Sequence, residues 1–163
     1  MKTFNKILIC STIISVAFFS CSKKSDTSPS GSSSSSWTIA NTTYNSSTTV
    51  FTNNELLGID QKISSDPDIG IQFNSRPVAG NYTLVNQYNA TVGNNQCSIL
   101  SSNTTGSPTY VSTNGGTVAV TVSNGKISAS FKNIAVGTLS TTNNNGTFNF
   151  TSTGTCSGTL TEQ

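Results

Sequence analysis

From residue 117 to residue 131 the chain reads Thr-Val-Ala-Val-Thr-Val-Ser, then Asn124-Gly125, then Lys-Ile-Ser-Ala-Ser-Phe. Apolar and polar side chains alternate on both sides of a pair that tolerates positive φ. The stretch therefore predicts a β-hairpin closed by a type I′ turn. A two-residue loop sets the register, because paired residues then have numbers that sum to 249. Val122 faces Ile127, Val120 faces Ala129 and Val118 faces Phe131 on an expected dry face, while Thr121 faces Ser128 and Ser123 faces Lys126 on a wet one. An isolated hairpin is marginal in water, so this one requires a larger sheet packed on one side.

The rest of the chain after residue 37 carries the same period. Beyond Phe131 the apolar parity slips to Ile134 and Val136, which predicts a β-bulge near Lys132-Asn133. Ile69, Ile71 and Phe73 alternate with Gly70 and Gln72. Further strands are expected at residues 37–40, 48–52, 82–85, 88–92, 96–100 and 109–112, with Cys97 and Ile99 on one face. Phe148 and Phe150 mark one later strand, and Cys156, Gly158 and Leu160 another. Residues 53–63 fit a strand through Leu57, Ile59 and Ile63, and a helix face through Leu56, Ile59 and Ile63 after Asn54. Strand is preferred, since Gly58 would cost a helix about 1 kcal/mol. Turns fall at residues 45–47, 66–68, 77–80, 93–95 and 143–146. Short strands broken by frequent turns predict an all-β fold, an antiparallel β-sandwich over residues 37–163, with a closed β-barrel as the alternative.

The front of the chain follows different rules. Lys2 and Lys6 precede an apolar run over residues 7–19 and a small Ser20, the three-part layout of a secretory signal. That run is too short to span a bilayer, which takes about 20 apolar residues. The stretch Ala17-Phe18-Phe19-Ser20-Cys21-Ser22 resembles a bacterial lipoprotein signal, in particular the variants of Bacteroidota-type lipoproteins. It departs from the family pattern at Phe18, where Leu is preferred, and at Phe19, where a small residue is. The resemblance implies removal of residues 1–20, acylation of Cys21, a membrane partner, and residence in the bacterial cell envelope at the outer membrane. Cys10 is a poor rival, with only three apolar residues ahead of it. An ordinary signal peptide whose first mature residue is Cys is the other reading. Residues 116–134 and 146–160 are also similar to small lipoproteins of unknown function in the same bacterial group, a likeness that implies no activity.

Between Cys21 and residue 37 lie Lys23, Lys24, Asp26, Pro29, Gly31 and an unbroken serine run, so residues 21–36 read as the lipidated cysteine and a flexible leash. Its reach is on the order of 20 Å. From residue 37 onward Lys62, Arg76, Lys126 and Lys132 stand against Glu55, Asp60, Asp66, Asp68 and Glu162, a net charge of −1. Nucleic acid is therefore not an expected partner, because no basic stripe exists to displace counterions from phosphate. Charged residues make up 9% of the chain, well under the usual quarter, and Ser, Thr and Asn replace them. Cys97 and Cys156 remain as a pair, for which a disulfide is expected; two buried free thiols are the alternative. A bridge across that 59-residue separation would stabilise the fold by about 4 kcal/mol.

The chain contains no histidine, which removes imidazole-assisted nucleophiles and the usual general base near neutral pH. A glycosidase would need two apposed carboxylates, and the acidic residues show no spacing that favours a pair. No enzyme activity and no cofactor are expected. Asp60, Asp66 and Asp68, with Gly70 behind them, offer oxygens for calcium, but Pro67 and the missing downstream Glu depart from the EF-hand pattern and a capped turn is the simpler reading. Trp37, Tyr44, Tyr82, Tyr88 and Tyr110 would bind glycans if three or more lay in one solvent-facing row. The expectation is thus a non-enzymatic, lipid-anchored envelope protein with a binding or structural module and an unidentified protein or glycan partner. The alternative is a carbohydrate-binding accessory lipoprotein.

Overall fold

The computed structural model describes residues 35–59, 67–102, 109–141 and 148–163. The signal region, Cys21 and residues 22–34 of the leash lie outside them. No helix among the described residues is long and apolar enough to cross a membrane. The fold is all-β: eleven strands form one sheet. They are β1 (Ser36–Ile39), β2 (Thr42–Asn45), β3 (Thr48–Thr52), β4 (Glu55–Ile59), β5 (Asp68–Phe73), β6 (Gly80–Leu84), β7 (Gln96–Ser102), β8 (Tyr110–Ser112), β9 (Thr117–Ser123), β10 (Lys126–Thr141) and β11 (Phe148–Thr161). The spatial order is β2-β1-β11-β10-β9-β6-β7-β5-β4-β3, with β8 bridging β10 and β7. Every pairing is antiparallel except β6 with β7, where Thr83 and Leu84 run parallel to Gln96 and Cys97, so the sheet is mixed.

Turn chemistry accounts for the local folding. Asn124 (φ 52°) and Gly125 (φ 77°) close the β9–β10 hairpin, and its register follows the expected sum, from Lys126 opposite Ser123 to Phe131 opposite Val118. Val118, Val120, Ile127, Ala129 and Phe131 are buried, but Val122 at the hairpin tip is exposed. Two more tight hairpins are built the same way. Asn53 and Asn54 (φ 50° and 63°) turn β3 into β4, which settles residues 55–59 as strand. Ala40 and Asn41 (φ 47° and 69°) turn β1 into β2, a strand that the sequence reading passed over because Ala-Asn is a weak signal for such a turn. The expected strand at residues 88–92 does not form; a turn bonded to the Asn86 carbonyl through the N–H groups of Asn89 and Ala90 occupies its start.

The β10–β11 pair runs well past the expected strand lengths, with 16 and 14 residues. What reads in sequence as two strands around Phe150 and Cys156 is the single strand β11. Two irregularities let it stay in register. Phe131 pairs Gly158 and Ile134 pairs Cys156, so Lys132 and Asn133 together oppose Ser157, the bulge that the parity slip predicts. A second shift between Val136 and Gly137 adds the extra residue on β11 instead, and the original register returns. The bulges cancel.

The sheet curls over one core. A Cβ built on Gly58 of β4 would lie 3.0 Å from Leu160 of β11 and 3.4 Å from Trp37 of β1, strands far removed from β4 in the spatial order. Ile39, Leu56, Ile69, Ile71, Phe73, Ile99, Val118, Ile127 and Leu160 therefore meet in a single cluster. Burying each such side chain contributes about 1.5–3 kcal/mol, which is what holds the two halves of the sheet together.

A seam of small hydroxyl side chains closes this curl. Ser35 Oγ accepts hydrogen bonds from the Thr49 hydroxyl (2.6 Å) and the Thr161 N–H (2.8 Å). The Ser35 carbonyl accepts from the Ser46 N–H (2.8 Å), and the Gln163 N–H donates to the Thr49 carbonyl (3.0 Å). Ser46 Oγ accepts from the N–H groups of Thr48 (3.1 Å) and Ile59 (3.0 Å). Ser35, Thr49 and Ser46 are buried. Ser35 and Ser36, which the sequence reading puts in the leash, thus belong to the folded domain.

Candidate functional site

The five aromatic residues do not form a solvent-facing row. Trp37 and Tyr82 are buried, Tyr44 and Tyr110 are half-buried against the core, and Tyr88 alone of the five is exposed. Packing decides this. Trp37 stacks on Tyr44 across the β1–β2 pair, with centroids 6.1 Å apart, and Tyr82 meets Phe73 edge to face at 5.1 Å. The Tyr82 hydroxyl stays inside because both backbone groups of Val78 satisfy it. These rings are structural.

The expected disulfide is absent: Cys97 and Cys156 are free thiols, both fully buried. Cys97 sits on β7 opposite Phe73, and Cys156 on β11 between Ile39 and Ile134. Each behaves as a small apolar side chain in the common core, and burial pushes each thiol up to about 12. They are poor nucleophiles.

Of the proposed calcium ligands, Asp60 and Asp66 lie outside the described residues. Asp68 begins β5 opposite Ser102. No cluster of three or more metal-ligating side chains exists among the described residues. Glu55 lies on β4 opposite Gln72, four residues from Asp68 along β5, so the two backbone positions are roughly 13 Å apart. Glu55 folds its side chain over Gly70, where a Cβ would collide with it, and burial raises its carboxyl above the ordinary value. Glu162 is engaged elsewhere. It bonds Arg76 at 2.7 Å and accepts the Ile127 N–H, while Arg76 also donates to the Gly125 carbonyl and lies 4.8 Å from the Phe51 ring centroid. This cluster ties β3, the β9–β10 turn and the end of β11 together, and nothing in the local sequence announces it.

An open trough of about 870 Å³ lies on the outer face of β1, β11, β10, β9 and β6. Its walls carry Ser36, Asn81, Thr117, Ser130, Ser157 and Thr159, with Ala119 and Gly158 between them. Alternation along each strand produces it: the partners Val118, Phe131 and Leu160 point into the core, so their polar neighbours point out. The bulge shapes one wall. Asn133 takes φ 53° and its N–H donates to Ser157 Oγ at 2.8 Å, which leaves Lys132 and Asn133 exposed at the rim. The trough offers neutral donors and acceptors and one cation, and its lining holds no carboxylate or thiol. Such a surface suits a neutral or weakly anionic polar chain. The parity slip at residue 131 predicts the bulge, but the concavity depends on five strands assembled out of sequence order.

No family model, no curated protein and no solved structure matches this chain.

Proposed function

We propose that this chain is a non-enzymatic, lipid-anchored protein of the bacterial cell envelope, held at the outer membrane by acyl chains on Cys21. Its curled β-domain serves as a binding or structural module. The observation that carries the reading is the stretch Phe18-Phe19-Ser20-Cys21 at the end of a short apolar run, in a chain whose leash joins the domain at the Ser35 seam. One acyl chain anchors only marginally, whereas two or more make a lasting tether. Mass spectrometry of the mature N-terminal peptide tests it: the expected result is a chain starting at Cys21 with added acyl mass, and membrane release in a Cys21→Ala variant. An unmodified Cys21 overturns the anchor.

A second reading, a carbohydrate-binding accessory lipoprotein, finds support in the trough rather than in the tyrosines. Hydroxyl and amide groups at Asn81, Ser130, Asn133 and Thr159 match the hydrogen-bonding needs of a polyhydroxylated chain. Calorimetric titration with soluble oligosaccharides, compared between the parent and Ser130→Val, tests this. Heat that the substitution abolishes supports it, and no heat with the parent removes it.

A further inference from the structure

The two ends of the spatial order are β2 and β3, and they are finished differently. On the outward side of β3 the Thr49 carbonyl already accepts the Gln163 N–H, and the Arg76 guanidinium covers the Phe51 ring. The stretch of β11 beyond its pairing with β1 carries the second bulge, a device that blunts an open edge. β2 has none of these. Its sequence, Thr42-Thr43-Tyr44-Asn45, contains no charge, no proline and no bulge, and among the described residues it pairs with β1 alone.

Hairpin parity tells which of its backbone groups are open. Ile39 and Thr42 form the closing pair of a two-residue hairpin, so Thr42 and Tyr44 bond to β1 while Thr43 and Asn45 direct N–H and C=O outward. Those outward groups have no backbone partner among the described residues. The Thr43 side chain, on the outer face, is held at 2.9 Å by Thr38.

We propose that β2 is a self-pairing edge, through which two copies of this chain join their β2 strands antiparallel about a two-fold axis at Tyr44. In that register Thr43 of each copy faces Asn45 of the other, giving four backbone hydrogen bonds with no like charges opposed, and the two Tyr44 residues form the central non-bonded pair. A second copy fits because the strand is complementary to itself. Pairing of the same strand about a two-fold axis is isologous, so the contact closes on a dimer instead of growing head to tail. Two four-residue strands bury far less than the roughly 1,000 Å² of a stable interface, so the dimer is weak and forms at high local concentration.

Cysteine trapping in the full mature chain tests the register. Cα atoms in a non-bonded antiparallel pair lie about 4.5 Å apart, so Tyr44→Cys is expected to give a covalent dimer under mild oxidation. Thr42→Cys places its thiols roughly 13 Å apart along the strand and is expected to cross-link at least tenfold less. Adding Thr43→Pro to Tyr44→Cys removes one outward donor per copy while keeping every β1–β2 backbone hydrogen bond, losing only the Thr38–Thr43 hydroxyl contact, and is expected to cut the yield to a similar degree. The parent, tested in parallel, reports any cross-linking through Cys21, so the outcome is independent of acylation. Equal yields from Tyr44→Cys and Thr42→Cys, or a yield that Thr43→Pro leaves unchanged, overturn the proposal. Should Tyr44→Cys disturb the Trp37 stack, sedimentation velocity at high concentration replaces it: a dimer in the parent that Thr43→Lys dissolves supports the edge, and a parent that stays monomeric refutes it.

Discussion

Ser35→Ala is the most informative single perturbation of this fold, because it removes the side chain that joins Thr49 of β3 to Thr161 of β11. Two donors lose their acceptor: the Thr161 N–H at 2.8 Å and the Thr49 hydroxyl at 2.6 Å. The hydroxyl keeps Ser46 Oγ within 3.2 Å, whereas the N–H of Thr161 has no replacement among the described groups. Leaving a buried donor without a partner costs about 1–3 kcal/mol, and the residual bond of Thr49 offsets part of the second loss, so about 2 kcal/mol is expected in all. For a domain of this size that lowers Tm by roughly 6–10 °C. Urea denaturation followed by the fluorescence of Trp37, the single tryptophan and fully buried, reads the change directly. A double-mutant cycle with Thr49→Val adds the decisive number: if the two hydroxyls are coupled, Ser35→Ala costs about 1 kcal/mol less in the Thr49→Val background. A change within about 0.5 kcal/mol of the parent, the level of an ordinary surface substitution, would show that Ser35 belongs to the leash after all and that the seam does not hold the curl.

Other consequences follow from particular contacts. A Cβ at position 158 would lie 2.6 Å from the Ser36 carbonyl oxygen and 2.9 Å from the Trp37 Cα, backbone atoms that cannot move aside. Gly158→Ala should therefore cost about 3 kcal/mol. Gly125→Ala meets nothing within 4 Å and should cost only the strain of φ +77°, about 1–2 kcal/mol; chemical denaturation ranks the two. Burial holds both core thiols at about 12, so above the ordinary thiol value of 9.0 the unfolded chain releases protons that the folded one retains. Stability should fall between those limits by up to about 1.4 kcal/mol per pH unit for each thiol, and Cys97→Ala should halve the thiol part of that slope in alkaline urea titrations. Glu55 has its carboxyl raised by burial, so the ionised form opposes folding at neutral pH. Glu55→Gln should raise Tm at pH 7, with the gain disappearing as the pH falls below the ordinary glutamate value of 4.5.

The sequence alone determined those features whose cause is local. Period-two alternation and an Asn-Gly pair set the β9–β10 hairpin to the residue, and a slip of apolar parity located the Lys132-Asn133 bulge, because strand geometry and positive φ are properties of a few consecutive residues. Only the tertiary structure decided the rest. Whether Trp37 and Tyr82 face water or the core, whether two cysteines bridge, where Arg76 finds Glu162, how one sheet curls until β4 meets β11, and where the outer trough forms all depend on partners distant in the chain. Serine shows the difference most plainly. In sequence Ser35 cannot be told from the leash residues before it, and it becomes structural because Thr49 and Thr161 arrive from the far ends of the fold to bond it.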